Sequence, residues 1–407
     1  MDVRTFGCAV NQADGEIMMG LLREHGLEGS DVVVVNTCTV KTPTENKILR
    51  ELRRLRDEGR SVVVAGCMPP ARPCIVGEFP EFSFIGVNTQ DIVEAVSAAA
   101  KGGRYVNVVD SEEKACMPRA RLNPVVGILP VAEGCLGSCS YCQTKLARGN
   151  LRSYGLERLV CEASSMAADG VREIWVTAQD TGAYGMDIGS SLPELLNRIT
   201  DVGGDFKVRV GMMNPNHALD MTDELTEAFR SDKLYRFLHI PVQSGDDDVL
   251  GDMGRGYHVE EFRKVVKAFR DFTLSTDVIV GYPTEDEEAF RNTVKLVEEV
   301  KPDILNISRY WPRPGTRAAC LRGHPGRETK RRSRIMNDTF RKVGLERNMR
   351  WVGWKGTALV SEVNGDGTVT ARNQWYKPIV VPNAELGDEI EVEVTDCTYY
   401  DLRGKLT

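Results

Sequence analysis

Three short strand-like runs, two of them rich in valine and each closing on a cysteine, limit what this chain can fold into more than any other feature. Cys8 ends VRTFGC, Cys38 ends DVVVVNTC and Cys67 ends SVVVAGC, at intervals of 30 and 29 residues. Short β-branched runs that stop at turn residues read as buried parallel strands. Helical stretches such as TENKILRELRRLRDEG separate them, so the first hundred residues read as a βαβαβ unit with a parallel sheet. Parallel strands joined by right-handed crossovers bring all their C-terminal ends to one edge of the sheet. The three thiols would then converge although they are distant in sequence. The competing reading makes each a small buried hydrophobe at a strand end; three in register count against it.

A charged, proline-bearing stretch, DSEEKACMPRARLNP, reads as a linker, and from about Pro124 a second alternating series begins. Its strand candidates are VVGILPVAEG, EIWVTAQD, KVRVGMM, YRFLHIPV, STDVIVGY and ILNISRYW, with helical segments between most of them. Six such units fit an open or partial (β/α)6 barrel whose chemistry gathers at the C-terminal ends of its strands. Beyond a basic helix the texture changes to short alternating strands with NGDG as the expected hairpin turn, a small all-β barrel. The fold class is therefore α/β with an all-β tail. The expected division is residues 1–108, 124–326, a helical linker at 327–350, and 351–407.

EGCLGSCSYCQTKLARG, just after the first strand of the second series, holds Cys135, Cys139 and Cys142 within eight positions. A loop of this length can wrap three thiolates around one cubane iron–sulfur cluster, leaving the fourth iron open. Structural zinc is the competing reading, but it normally takes four protein ligands and no His or Cys follows at close spacing. Cys74, Cys116, Cys161, Cys320 and Cys397 lack ligand-like spacing and read as structural, as do His217 and His239.

Eleven cysteines, a start without a basic-then-apolar leader, and no apolar run long enough for a membrane point to a reduced, cytoplasmic setting. The net charge of −7 is unevenly spread. Arg309 to Lys355 carries fourteen Lys and Arg against three acids (Glu328, Asp338, Glu346). Such a band suits an anionic partner, with a solvated helix face as the alternative.

The cysteine loop, with Tyr141 before its last cysteine, resembles the radical S-adenosylmethionine (SAM) superfamily. The resemblance implies that the amino and carboxylate groups of SAM fill the open iron, and that an electron from the cluster cleaves SAM to a 5′-deoxyadenosyl radical. TFGCAVNQADGE, NTCTV and AGCM in front, with HIPVQSGDDDVL, DVIVGYPTEDEEAF and YWPRPGTRA behind, narrow this to a resemblance to the methylthiotransferases. The tail looks like a TRAM domain, an RNA-binding module. YCQTKLARGN resembles the branch acting on N6-threonylcarbamoyladenosine at position 37 of tRNA.

The resemblance implies two 4Fe-4S clusters, on Cys8, Cys38 and Cys67 and on Cys135, Cys139 and Cys142. The first would carry a sulfur that one SAM methylates; a second SAM on the other would yield the radical that removes hydrogen from C2 of adenine. Tyr141, Gln179, Asp180, Gln243, Ser244, Asp277 and Ile279 are the expected SAM contacts, although Gln179 and Asp180 stand where the superfamily often has a Gly-Gly-Glu turn. Arg148, Arg331, Arg332, Arg334, Arg372, Trp375, Tyr376 and Lys377 are the expected RNA contacts. The partners are tRNA in its anticodon region, an electron donor and a sulfur source, with neither DNA nor membrane. The alternatives are an isopentenyladenosine or ribosomal-protein substrate, or a non-catalytic RNA-binding protein with structural zinc.

Overall fold

A computed structural model describes residues 2–110 and 112–407. The first unit is a five-stranded parallel sheet in the order β1 (Asp2–Thr5), β2 (Val33–Thr37), β3 (Val62–Gly66), β4 (Ser83–Ile85) and β5 (Val106–Asn107). Every residue of β2 and β3 is buried, because helices cover both faces of the sheet. Met18 and Leu22 of the helix Ala9–Glu24, with Ile92 and Val96 of Ile92–Ala100, pack on Val34 and Val63. Ile48 and Leu52 of Thr42–Asp57 pack on Val33, Val35, Val62 and Val64. The chain steps from β1 to β2 to β3 in one direction while the two connecting helices lie on opposite faces, so these crossovers have opposite hands. Uniform right-handed connection therefore does not hold here. Parallel alignment alone brings the strand ends to one edge.

The expected linker is a packed strap. Lys114 and Ala115 are fully buried, Lys114 pairs with Asp14 and Glu133, and Arg119 pairs with Glu162. Beyond it stand β6 (Val126–Pro130) and a small antiparallel ribbon of β7 (Ala132–Glu133) and β8 (Arg152–Ser153) that closes the base of the cysteine loop. At Gly134 φ is +75° and a Cβ would lie 1.9 Å from the Asn150 carbonyl oxygen, so only glycine admits this closure.

The remaining central strands are β9 (Glu173–Thr177), β10 (Lys207–Val210), β11 (Phe237–His239), β12 (Thr273–Val280) and β13 (Ile304–Arg309). They form two parallel sheets, β10-β9-β6 and β11-β12-β13, linked by a bridge between Val208 and Leu234. This is the open six-stranded barrel expected. The helix Gly326–Met349 lies against it through Met336 and Phe340.

The tail is a closed barrel of β14 (Lys355–Val363), β15 (Val369–Arg372), β16 (Pro378–Val381), β17 (Glu389–Cys397) and β18 (Leu402–Leu406), ordered β14-β15-β16-β18-β17. The NGDG turn joins β14 to β15. The barrel docks on the N-terminal ends of the central strands. Tyr376 packs against Tyr235 and Phe237 and donates to Glu173 at 3.0 Å, and Lys377 Nζ donates to Asp303 at 2.8 Å.

Candidate functional site

Cys8 follows β1 and caps the helix Ala9–Glu24, Cys38 follows β2, and Cys67 follows β3. Gly7, at φ +115°, lies so close to Cys38 that a Cβ there would stand 2.8 Å from its sulfur. Burial pushes the Cys67 thiol up to about 12 and also raises Cys38, against the pull of Arg148. Asn11 ties the three strand ends together: its Nδ2 donates to the Phe6 and Thr37 carbonyls at 2.8 and 2.6 Å, and its Oδ1 accepts from Cys67 Sγ at 3.4 Å.

Arg148 comes to this edge from the other unit. It lies six residues beyond Cys142, at the end of the helix Thr144–Arg148, and is 1% exposed. Its Nε donates to Cys67 Sγ at 3.3 Å, and its Nη2 donates to Asn11 at 2.6 Å and Asp14 at 2.7 Å; Glu133 pairs with Nη1. The expectation of an RNA contact fails here: this arginine has no surface, and its charge is met by Asp14 and Glu133 while it donates to the Cys67 sulfur.

In the second trio, Gly137 N donates to Cys135 Sγ and Arg255 Nη1 to Cys139 Sγ, both at 3.2 Å. Burial pushes the Cys135 thiol up to about 11, with Asp180 adding to it, and burial also raises Cys142. No three His, Cys, Asp or Glu side chains among the described residues gather tightly enough for one ion. A cubane asks for wider spacing, since each of its protein sulfurs binds a different iron. Thiols backed by an arginine donor suit such a group in both places.

Asp180 is not free to hold a ligand. It is fully buried and accepts from Gly182 N, Asn214 N, Asn214 Nδ2 and His217 Nδ1 at 2.5–3.1 Å, which fills its four lone-pair sites. Besides its charge on Cys135, it reaches the cysteines through Asn214, whose Oδ1 accepts from Arg255 at 2.7 Å. His217 is thereby a satisfied structural histidine. Ser244, also fully buried, bonds Thr293 and Asp246 N, and serves a turn instead of a ligand. Gln179 stays at the end of β9 with its Oε1 buried and unpartnered, outside the cavity described next.

A cavity of about 640 Å³ lies where the two units meet, and Cys8 and Cys142 both line it. Tyr141, Gln243, Asp277 and Ile279 form part of its wall, so four of the seven expected SAM contacts are brought together. Gln243 holds φ at +68°, a conformation costly for a non-glycine residue and commonest at functional sites. Burial pushes the Asp277 carboxyl up, but His239 at 3.2 Å, Asn306 at 2.6 Å and the charge of Lys41 outweigh it and hold the group below its usual range.

Sequence reasoning missed His239, Arg309, Trp311 and Arg313, all on this wall. YWPRPGTRA carried the last two, but nothing in its spacing says that Arg313 reaches across to Thr42 Oγ1 at 2.8 Å and Glu45 at 3.0 Å.

The other expected RNA contacts divide sharply. Arg332 is 3% exposed and bonded to Glu285 and Glu328, and Tyr376 and Lys377 are buried under the C-terminal barrel. These three are structural. Trp375 donates from Nε1 to the Asp271 carbonyl at 3.1 Å and packs on Trp351, so it too belongs to the docking surface. Arg372 stacks 4.7 Å from the Tyr376 ring centre. Arg331 is half-exposed but paired with Glu287 and Glu328. Arg334 is exposed and, among the described residues, has no such partner; it lies in a groove it shares with Lys330, Arg341 and Arg309.

Comparison with known proteins agrees with this layout. Residues 129–297 match the radical SAM superfamily, 1–83 an uncharacterized protein family (UPF0004) and 350–407 the TRAM domain. A radical SAM methyltransferase, TsrM, from Kitasatospora setae, with cobalamin and a 4Fe-4S cluster bound, aligns over 73% of this chain and 68% of its own. At a TM-score of 0.50 and 17% identity it speaks for the fold alone. A probable threonylcarbamoyladenosine tRNA methylthiotransferase of Pyrococcus horikoshii is 43% identical over 99% of this chain and 98% of its own length. That of Archaeoglobus fulgidus is 44% identical over the same shares. The human threonylcarbamoyladenosine tRNA methylthiotransferase is 36% identical over 99% of this chain and 73% of its own. With such identity over nearly its full length, the chain belongs to the threonylcarbamoyladenosine tRNA methylthiotransferase family.

Proposed function

We propose that this chain converts N6-threonylcarbamoyladenosine at position 37, in the anticodon region of tRNA, to its 2-methylthio derivative. It would use SAM and two 4Fe-4S clusters, held by Cys8, Cys38 and Cys67 and by Cys135, Cys139 and Cys142. The observation that carries this reading is the single cavity walled by a cysteine of each trio, since sulfur delivery and hydrogen abstraction must act on one base. When bound, the clusters and SAM supply one-electron chemistry, sulfur and a methyl group.

The chain's own residues arrange that chemistry. Arg255 and Arg148 each donate to a ligand sulfur, offsetting the negative charge of a cysteinate-bound cluster. Tyr141 and Ile279 pack with Tyr282 and Met253 and give the cavity an apolar side that would exclude water from the chemistry. Gln243 and Asp277 present the polar side to SAM. An electron donor and a sulfur source would serve the protein from outside. The substrate in the relatives' names does not favour the isopentenyladenosine, ribosomal-protein or zinc-protein alternatives.

Replacing Cys8, Cys38 and Cys67 with alanine should remove about half the iron of the reconstituted protein while 5′-deoxyadenosine still forms. The same change at Cys135, Cys139 and Cys142 should abolish SAM cleavage. Nucleoside mass spectrometry of tRNA incubated with the intact protein identifies the product. Full iron content in the first triple variant would remove the amino-terminal cluster from this reading.

A further inference from the structure

Among the described residues, Arg309 on the cavity wall has no carboxylate partner, and Lys41 makes no hydrogen bond and meets only the charge of Asp277. Arg309, the last residue of β13, has its guanidinium 5.2 Å from the ring centre of Trp311 and, among the described residues, no carboxylate or other acceptor. The Lys41 ammonium likewise bonds no acceptor. Arg313 brackets the loop that carries Lys41, donating to Thr42 Oγ1 and to the Thr39 carbonyl. Its own charge is met by Glu45. The one carboxylate on this wall, Asp277, is already engaged by His239 and Asn306.

We propose that Arg309, supported by Lys41, binds the free carboxylate of the threonylcarbamoyl group and so reads the amino-acid appendage of the substrate base. This rests on the proposed function. Threonine joined to the base through its nitrogen as a urea keeps an ionised carboxylate, the anionic group of the modified base. The carboxylate of SAM does not compete if it chelates the open iron. An Arg–carboxylate pair can be bidentate, which fixes orientation as well as affinity. Since Arg309 also borders the groove of Lys330, Arg334 and Arg341, an RNA phosphate is the other source of the same oxyanion chemistry.

The test compares two anticodon stem-loop RNAs, one with N6-threonylcarbamoyladenosine and one whose threonyl carboxylate is replaced by a carboxamide. Wild type should act on the carboxamide RNA with kcat/KM lower by roughly 10- to 100-fold, the range for losing a charged hydrogen bond. Arg309→Gln should fall by that factor on the carboxylate RNA and no longer distinguish the two, and Arg309→Lys should recover part of the preference. Iron content and circular dichroism establish that the variants fold. Lys41→Gln, on a different loop, gives a second route should Arg309→Gln misfold, and it too should shrink the preference. If Arg309→Gln slows both RNAs equally and the preference persists, Arg309 serves a phosphate and the proposal is overturned. Equal activity of wild type on both RNAs overturns it as well. If wild type modifies neither RNA, the substrate reading itself falls, and the subsite with it.

Discussion

Arg148 shows how much one buried side chain can organise. Its guanidinium, with Lys114, balances Asp14 and Glu133 in a cluster where all four residues are about 1% exposed. Burial pushes the Asp14 carboxyl up, and the charges of Lys114 and Arg148 overcome that to hold it below the usual carboxylate range. Arg148→Met leaves two carboxylates facing one ammonium, and breaking a buried pair this way costs about 3–5 kcal/mol. Urea denaturation should show that loss. Arg148→Lys keeps the charge but gives up the fork that serves Cys67, Asn11 and Asp14 together. In a background lacking Cys135, Cys139 and Cys142, it should bind markedly less iron than its parent, because Cys67 loses its donor. Iron retained in full would reduce Arg148 to a structural pair.

The helix Gly326–Met349 holds the basic band, and its arginines have different fates on different faces. Arg332 turns inward to Glu285, whereas Lys330, Arg334 and Arg341 line an open groove of about 550 Å³ that Arg309 and Asp338 also border. Reversing Lys330, Arg334 and Arg341 to glutamate should weaken tRNA binding and reduce its salt dependence by about 0.9 log unit of slope for each lost duplex phosphate contact. Arg332→Glu should instead lower the melting temperature, because it places a third acid beside Glu285 and Glu328. An unchanged salt slope in the triple reversal would leave this groove outside the tRNA path. The sequence marked the helix and its charge but not this division, because the partner of Arg332 lies 47 residues away. The same reason explains Asp180. Its place after a strand was legible, but not that residues 182, 214 and 217 would use up its oxygens. Strands and cysteine trios were legible because β-branched runs and strand-end positions are local signals. β4 and β5, three and two residues long, gave no run to detect.

Between the three units, chemistry and docking occupy opposite ends of the central barrel. The cysteine loop, Gln243 and Arg309 stand at or beyond the C-terminal ends of its strands, while Glu173, Phe237 and Asp303, at or just before strand starts, receive the C-terminal barrel. Asn373-Gln374-Trp375-Tyr376-Lys377 reads in sequence as an exposed aromatic and basic patch, but its side chains close the bottom of the neighbouring barrel. Removal of the tail would therefore bare Tyr235 and Phe237, leave Glu173 with one donor fewer and take Lys377 from Asp303. Burial pushes the Asp303 carboxyl up, but Lys377 and the two bonds from Arg347 win and hold it below its ordinary value. A depressed carboxylate contributes stability that is fully present above its unfolded value near 4 and is lost as pH falls through the lower folded value. Docking of the tail should accordingly weaken only in acid below about pH 4, with no change between pH 6 and 8. Lys377→Met leaves Asp303 buried with Arg347 alone, at a cost of about 3–5 kcal/mol. A chain ending at Arg350 should unfold at lower denaturant than the intact protein even before tRNA is added, which calorimetry or denaturant titration can measure. If that truncated chain matched the intact one in stability and lost only tRNA affinity, the tail would be a tethered binding module and the buried Lys377–Asp303 contact would contribute nothing to holding the barrel closed.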